Sequence, residues 1–248
     1  MNILVVDDHE INREFIKTGL GPRAARVAVA AGGAEAVSLC ESEHFDVVLL
    51  DLHMPRLDGV STARRIRALD ASSSTARMII LTADTRPEER DRLLQEREID
   101  QFLNKPISIA DLVAAIEGEF DPAGRSRGVD ARRSPNVQLI NQRRALAAAN
   151  DNAELTSRLQ RMLADDLDAG LGELDALLEH SRWKEASDRL HQWAGAAGYA
   201  GAERFGEACR RLRRQLRHDL ESSPGAAYVH FLRTAQATYQ ALLLPAEA

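Results

Sequence analysis

The sequence predicts an α/β domain followed by an all-α domain. Strand and helix patterns alternate through the first half of the 248-residue chain, as they do in a parallel sheet covered by helices. The second half has helical periodicity throughout, with few Val, Ile or Thr residues. A stretch rich in Gly, Pro, Ser and Arg separates the two halves. We therefore place one domain at residues 1–120, a flexible linker at 121–136 and a second domain at 137–248.

Five short apolar runs in the first domain predict β-strands, at residues 2–7, 25–30, 46–51, 77–82 and 101–104. A helical pattern follows each run, at residues 10–20, 34–43, 58–69, 86–97 and 108–119. Ser108 is the expected N-cap of the last helix. This alternation fits a flavodoxin-like (βα)5 fold with strand order 2-1-3-4-5, in which ligands bind at the carboxyl ends of the strands.

Three acidic residues fall at the carboxyl ends of two predicted strands. The apolar run at 47–50 is typical of a strand buried on both faces, and Asp51 follows it directly. Asp7 and Asp8 end the first strand in the same way. Neighbouring carboxylates repel one another unless a cation lies between them, and oxygen ligands suit a hard divalent cation, above all Mg²⁺. The sequence thus predicts a Mg²⁺ site at this edge of the sheet.

Two further strand ends add hydrogen-bond donors to the predicted site. Thr82 ends the fourth strand, and Lys105 follows the fifth. Phosphoryl transfer to a carboxylate requires this combination of acidic, hydroxyl and cationic groups. Asp51 would be the nucleophile. The metal and Lys105 would neutralise charge on the phosphoryl oxygens, and Thr82 would donate a hydrogen bond to one of them.

Six short markers occur in order along the first domain. They are Asp7-Asp8, Asp51, Met54-Pro55, Asp58-Gly59, Leu81-Thr82-Ala83 and Lys105-Pro106. With this spacing, residues 1 to about 120 resemble the receiver domain of bacterial response regulators. The resemblance implies that Mg²⁺ is ligated by Asp8, Asp51 and the backbone carbonyl of His53. It further implies that Asp7 acts through water.

The same resemblance assigns roles to three further parts of the domain. It implies that Thr82 and Phe102 are a switch pair that rearranges on phosphorylation. Residues 8–13 resemble receivers of hybrid sensor kinases more than receivers joined to DNA-binding domains. The side chain of His53 has two interpretations. It is either a loop histidine that serves only through its carbonyl, or a residue that tunes dephosphorylation by water.

The second domain is predicted to be helical at residues 137–149, 153–180, 182–198, 202–219 and 225–243. Short connections between long helices predict an antiparallel bundle. His191 lies beside the apolar stripe of the third helix, because Leu190 and Trp193 face the core at helical spacing. Gly195 lies one turn later and costs about 1 kcal/mol of helix stability relative to Ala. Close approach of another protein to the imidazole would explain this glycine. The ordinary interpretation is that a lone histidine on a helix is a surface or core residue without a special function.

A longer pattern favours a functional histidine. His191 is followed by Gly195, Gly201 and Phe205 at positions +4, +10 and +14. With the long helices on either side, residues 137 to about 245 resemble histidine phosphotransfer (HPt) domains. The resemblance implies a four-helix bundle whose exposed histidine accepts and donates a phosphoryl group, without kinase activity of its own.

The sequence departs from the HPt pattern at two positions. Trp193 and Ala194 stand where the family usually has Leu-Lys, so a positive charge beside the histidine is missing. Arg189, Arg204 and Arg211 are candidates to replace it. The arginine run from 210 to 217 is interpreted as a solvated helix face, with docking of an acidic receiver as the alternative.

Composition narrows the function classes. Residues 1–120 carry 14 Lys/Arg and 21 Asp/Glu, a net charge of −7, whereas residues 136–248 carry 14 and 15, a net of −1. A basic surface for nucleic acid is therefore not expected.

No apolar run reaches the length of a membrane span, and no signal peptide is recognisable. Cys40 and Cys209 are expected to be reduced and buried. We expect a cytoplasmic protein.

The sequence as a whole predicts a phosphorelay signalling protein. A sensor histidine kinase acting in trans would phosphorylate Asp51, and His191 would exchange a phosphoryl group with a further response regulator. The direction of flow stays open. The alternative is a phosphorylation-gated switch, in which a degenerate bundle binds a partner without carrying phosphate. Apart from Mg²⁺-dependent phosphoryl transfer to Asp51 and hydrolysis from it, no enzyme activity is expected. We further expect a stand-alone chain that is a monomer or weak dimer.

Overall fold

The computed structural model describes residues 1–82, 95–118, 138–218 and 225–243. The chain divides into two compact units, Met1–Gly128 and Val129–Ala248. The predicted linker at 121–136 lies outside the described residues, as does most of the helix predicted at 86–97. The limits of the domains and of the linker therefore stay a prediction.

The first unit contains a five-stranded parallel sheet. Its strands are β1 (Asn2–Val6), β2 (Arg26–Ala30), β3 (Val47–Asp51), β4 (Arg77–Thr82) and β5 (Gln101–Asn104). The strand order is β2-β1-β3-β4-β5, and every neighbouring pair is parallel. This confirms the predicted flavodoxin-like topology.

Helices of the first unit pack in pairs. They are α1 (Glu10–Leu20), α2 (Gly33–Ser42), α3 (Gly59–Arg67) and α4 (Ile109–Glu117), with a short 3₁₀ turn at Ser72–Thr75. Helix α1 packs against α4, and α2 packs against α3, which gives the sheet a helical layer on each face. Ser108 caps α4 as predicted, because its hydroxyl accepts a hydrogen bond from Asp111 N at 3.1 Å.

The central strand β3 is buried along its whole length. Its side chains alternate between the two helical layers, and Val48 and Leu50 pack with Ile66 and Met78 in one continuous apolar cluster. Asp51 is the last residue of this strand. The acidic side chain therefore projects from a rigid, fully packed element.

The second unit is a helical bundle. Its helices are α5 (Gln142–Ala148), α6 (Ala153–Glu179), α7 (Trp183–Tyr199), α8 (Glu203–His218) and α9 (Gly225–Leu243). Each of the four long helices packs against the next, and α9 packs back on α6, so that they form a closed four-helix bundle. Short connections at 180–182 and 200–202 make consecutive helices antiparallel.

The short helix α5 precedes the bundle and packs against α6 and α7. It begins later than the predicted residue 137, because Asn141 is its N-cap and accepts a hydrogen bond from Arg144 N at 3.1 Å. The backbone of Asn141 is in turn held by Gly201, whose carbonyl accepts its N–H at 2.8 Å.

Three fully buried aromatic rings join α7, α8 and α9. The ring of Trp193 lies 6.0 Å from those of Phe205 and Phe231, and the two phenylalanine rings are 5.9 Å apart. Because Trp193 fixes the rotation of α7 about its axis, His191 is held beside the core and is only half-buried. Among the helices within the described ranges, none combines the length and the apolar composition that a membrane span requires.

Candidate functional site

The three predicted carboxylates lie together at the edge of the sheet. Asp7 and Asp8 follow β1, and parallel pairing of β1 with β3 brings Asp51 beside them. One carboxylate oxygen from each residue lies within 4.8 Å of the others. Asp7 and Asp51 are only 1% and 3% exposed, whereas Asp8 is half-buried. This oxygen-only, strongly negative cluster has the donor chemistry that suits a hard divalent cation.

Lys105 supplies a positive charge to the acidic cluster. Its Nζ lies 2.6 Å from Asp7 Oδ2 and 3.0 Å from Asp51 Oδ1, and its side chain is only 5% exposed. The loop that carries the lysine is anchored to β4, because Lys105 N donates to the carbonyl of Thr82 at 2.7 Å. The Lys105–Pro106 peptide bond is cis. One ammonium group thus bridges two of the three carboxylates.

The side chain of Asp7 is held by α1. Its Oδ1 accepts a hydrogen bond from His9 N at 2.9 Å, and both carboxylate oxygens accept from Asn12 Nδ2, at 3.0 and 3.1 Å. Arg13 donates to the Asp7 backbone carbonyl at 2.7 Å. The sequence reasoning missed Asn12. Its signal was a polar residue at a buried position in the first turn of a helix, just after an acidic strand end.

Burial raises the pKa of Asp51 to about 7, from an ordinary value of 3.8. The positive charge of Lys105 and its hydrogen bond oppose this rise, whereas the negative charges of Asp7 and Asp8 add to it. Without a further cation, a substantial fraction of Asp51 is therefore protonated and uncharged near neutral pH. A divalent cation at the cluster would lower the pKa of Asp51 and favour its ionised form.

The loop after β3 is fixed close to the phosphoacceptor candidate. Gly59 N donates to the carbonyl of Leu52 at 3.1 Å, and a Cβ at Gly59 would collide with the backbone carbonyl of Asp51. Asp58 caps the same helix, α3, and accepts from Ser61 N at 2.7 Å. This explains in physical terms why Asp-Gly stands at positions 58–59.

The remaining predicted residues of this site lie at its border. Thr82 is buried at the end of β4, and its strand neighbour Leu81 pairs with Asp51. Phe102 is on β5, where it pairs with Ile80 of β4. Its side chain is partly buried against the apolar core. His53 is half-buried, two residues after Asp51. Their positions are compatible with the predicted roles in hydrogen bonding, switching and metal ligation, and those roles stay predictions.

His191 lies in the second unit and contacts an arginine that the sequence analysis placed on a solvated face. Arg213 on α8 lies 2.9 Å from His191 Nδ1 through one terminal nitrogen and donates to Ser187 Oγ at 3.3 Å through Nε. Arg213 is half-buried, and its neighbours Arg210 and Arg214 pair instead with Glu207. The interpretation of the whole run as a solvated face was therefore wrong for Arg213.

Arg189, one of the three candidates for the missing charge, is occupied elsewhere. It forms an ion pair with Asp166 at 2.7 Å and lies over the ring of Trp193, 4.8 Å from its centroid. The indole N–H of Trp193 donates to the other oxygen of Asp166 at 2.9 Å. This cluster explains how a tryptophan fits where the HPt pattern usually has leucine.

The first unit thus combines a flavodoxin-like fold with an acidic cluster that a lysine bridges, and the second is a helical bundle whose half-buried histidine contacts an arginine. Residues 3–117 match the family described as the response regulator receiver domain, and residues 158–243 match the Hpt domain family. The chain belongs to these families, with a receiver domain followed by an Hpt domain. This confirms the resemblance found in the sequence.

Curated relatives include sensor proteins with longer chains. The chain is 29% identical over 226 residues to the sensor protein GacS of Pseudomonas syringae pv. syringae, covering 88% of this chain and 25% of GacS. It is 27% identical over 239 residues to the virulence sensor protein BvgS of Bordetella bronchiseptica, covering 90% and 19% respectively. The chain therefore spans a quarter or less of the length of these relatives.

Solved structures similar to this chain include the receiver domain of a Pseudomonas aeruginosa sensor histidine kinase, which has a magnesium ion in its active site cleft. The sequences are 32% identical, the match covers 47% of this chain and 94% of the other, and the TM-score is 0.43.

Proposed function

We propose that this chain is a phosphorelay signalling protein with two phosphoacceptor residues, Asp51 and His191. Asp51 accepts a phosphoryl group from a sensor histidine kinase in trans, and His191 exchanges one with a response regulator receiver. The observation that carries the proposal is the buried cluster of Asp7, Asp8 and Asp51 with Lys105 between two of the carboxylates. The family matches of both units support the same function.

The acidic cluster fits Mg²⁺ because its donors are all oxygen atoms and its negative charge exceeds that of its one lysine. We assign the ligands as Asp8, Asp51 and the backbone carbonyl of His53, with Asp7 holding the ion through water. Bound Mg²⁺ supplies positive charge that stabilises the phosphoryl oxygens and the ionised form of Asp51.

Transfer to Asp51 requires an in-line attack by one carboxylate oxygen on the phosphorus of a donor phosphohistidine. The new P–O bond forms as the P–N bond breaks, and the donor imidazole leaves with the bonding electron pair and takes up a proton. Lys105 already contacts Asp51 and would pair with a phosphoryl oxygen. Thr82 would donate a hydrogen bond to another oxygen and, with Phe102, transmit the change to the surface.

The alternative function is a phosphorylation-gated bundle that never carries phosphate. Its motivation was the missing lysine at position 194. The contact between Arg213 and His191 weakens that motivation, since a positive charge is present at the imidazole after all.

We further propose a cytoplasmic protein that acts as a monomer or weak dimer.

The two functions are separated by labelling the purified chain in the presence of Mg²⁺. The wild type, Asp51→Asn and His191→Gln are treated with a phosphorylated kinase domain or a small phosphoramidate, and the labelled residue is read by peptide mass. Asp70→Asn and His180→Gln are matched controls, because both residues are exposed and neither belongs to a proposed site. Label on both residues, with His191 phosphate passing to a receiver, is expected.

Two results of this experiment would contradict the proposal. Label on Asp51 alone, under donors that modify another Hpt domain, would leave the gated bundle as the function. Absence of label from Asp51 would overturn the assignment of the acidic cluster itself.

A further inference from the structure

Asn12 is a buried amide on α1 that faces the carboxylate of Asp7. Its side chain is only 3% exposed, and its Nδ2 lies 3.0 Å from Asp7 Oδ1 and 3.1 Å from Asp7 Oδ2. An ionised carboxylate only accepts hydrogen bonds, so the amide nitrogen of Asn12 is the donor to both oxygens. The amide oxygen of Asn12 is buried and has no hydrogen-bond partner among the residues that the structure describes. Asn12 therefore serves this pocket as a donor to Asp7.

The donors around Asp7 use the acceptor capacity of its carboxylate. Besides the contacts of both oxygens with Asn12, Oδ1 accepts from His9 N at 2.9 Å and Oδ2 accepts from Lys105 Nζ at 2.6 Å. An ionised carboxylate has about four lone-pair sites, and these contacts occupy about that number. While Asn12 donates to both oxygens, Asp7 is thus poorly able to bond directly to a cation.

The number of carboxylates that bind directly influences which divalent cation a site prefers. Mg²⁺ keeps several of its waters and is usually held by one or two carboxylates, whereas Ca²⁺ takes about 6–8 oxygen ligands in a flexible geometry. Asp7, Asp8 and Asp51 lie close enough together to share one ion. Direct ligation by all three would favour Ca²⁺. Direct ligation by two of them, with the third acting through water, favours Mg²⁺.

We propose that Asn12 is a positioning residue that determines the metal preference of the acidic cluster. It occupies the oxygens of Asp7, so that this carboxylate holds the cation only through water and the site favours Mg²⁺ over Ca²⁺. The proposal rests on the proposed function of the cluster. Without Asn12, His9 N and Lys105 remain as donors to one oxygen each, so each oxygen of Asp7 regains a place for a ligand bond. Asp7 can then bind the ion directly.

The metal preference is measured on the full-length chain with Mn²⁺ as the probe. Electron paramagnetic resonance counts free Mn²⁺ while Mg²⁺ or Ca²⁺ displaces the bound ion, which gives a Kd for each of the two. Asn12→Leu keeps a similar shape and removes the donor. It is expected to raise the affinity for Ca²⁺ relative to that for Mg²⁺ about tenfold, within the usual effect of residues that hold a metal ligand. Binding that survives in Asp8→Asn is subtracted as binding outside the cluster.

Further variants separate the loss of the donor from a loss of packing. Ile16→Val trims another buried side chain of α1 and should leave the ratio of the two affinities unchanged. In the double variant Asn12→Leu/Asp7→Asn the carboxylate that Asn12 releases is absent, so the gain for Ca²⁺ should disappear. Asn12→Ala also lacks the donor and should shift the ratio in the same direction, which keeps the test valid if the leucine does not fit. Circular dichroism verifies that each variant is folded.

The outcomes separate the role of Asn12 from the function on which it rests. If the wild type and the folded Asn12 variants have the same ratio of Ca²⁺ to Mg²⁺ affinity, the role of Asn12 is overturned, and phosphoryl transfer to Asp51 is left intact. A shifted ratio that persists in the double variant would overturn it as well, because Asp7 would not be the added ligand. Absence of cation binding at the cluster of the wild type would overturn both the Mg²⁺ assignment and the role of Asn12.

Discussion

The ammonium group of Lys105 lies 2.6 Å from Asp7 Oδ2, in a pocket where the two side chains are only 5% and 1% exposed. The same group lies 3.0 Å from Asp51. A buried charge without a partner is strongly unfavourable, so the lysine holds together carboxylates that would otherwise repel each other. Stability therefore depends on the same side chain for which we propose a role in phosphoryl transfer.

Replacing Lys105 with Met should destabilise the receiver domain when no divalent cation is present. At pH 8 the expected loss is about 3–5 kcal/mol, the usual cost of removing one partner from a buried ion pair. Urea unfolding in EDTA measures this loss, with the exposed Lys17→Met as control. Added Mg²⁺ should restore part of the stability, because it replaces the missing charge. Equal stability of the two variants in EDTA would show that Lys105 does not neutralise the pocket.

Asp51→Asn should stabilise the cation-free protein increasingly as pH rises. The pKa of Asp51 is raised from 3.8 to about 7 in the folded state, chiefly by burial. The folded state therefore binds this proton more tightly than the unfolded state. The stabilisation that this proton provides is complete below pH 3.8 and is lost as the pH rises through 7. The Asp51→Asn variant has no such proton to lose, so its stability does not fall in this pH range.

The pH dependence is measured by urea unfolding in EDTA at pH 4, 6 and 8. The advantage of Asp51→Asn over the wild type should approach roughly 4 kcal/mol at pH 8, because each pKa unit corresponds to 1.36 kcal/mol. The exposed Asp70→Asn serves as control and should show no such trend. Saturating Mg²⁺ should abolish the advantage. An advantage that is independent of pH would contradict the burial argument.

Gly59→Ala should disturb Asp51, the phosphoacceptor that we propose, without changing its side chain. A Cβ at position 59 would collide with the backbone carbonyl of Asp51, which belongs to the packed central strand. We expect a loss of about 1–3 kcal/mol, as for other overpacked sites, and slower labelling of Asp51. Gly32→Ala is the matched control, since a Cβ there meets nothing within 4 Å. Normal labelling of Gly59→Ala would mean that the strand end can shift without cost.

The sequence predicted the parts of this protein that depend on local patterns. The alternation of apolar runs and helices predicted the sheet order, and the ends of the predicted strands predicted the acidic cluster. Spacing after His191 identified the phosphotransfer candidate. Each of these signals follows from a residue's place within its own element, and such places are set by short-range periodicity.

The parts that could not be predicted are contacts between distant elements. Arg213 reaches His191 from a different helix, and its neighbours in the run do not. Arg189 was a candidate for the same role in the sequence analysis, but its partner is Asp166, 23 residues away on α6. Which arginine meets which acceptor depends on how the helices are rotated and packed, and single-helix periodicity does not specify this.

Two glycines on α6 should respond in opposite directions when replaced by alanine. Gly170 is buried against α7, and a Cβ there would collide with the guanidinium of Arg189 and lie 2.8 Å from the ring of Trp193. Gly172 is exposed, and a Cβ there meets nothing within 4 Å. Helix propensity alone favours alanine at both positions by about 1 kcal/mol.

We therefore expect Gly172→Ala to stabilise the bundle by about 1 kcal/mol. Gly170→Ala should destabilise it by about 1–3 kcal/mol, because Arg189 and Trp193 must move and their hydrogen bonds to Asp166 lengthen. Urea unfolding followed by tryptophan fluorescence measures both effects. If Gly170→Ala stabilised the bundle as much as Gly172→Ala, the contact of α6 with the Asp166 cluster would be too loose to fix the rotation of α7. The orientation of His191 would then have to be set by Arg213 and the aromatic core alone.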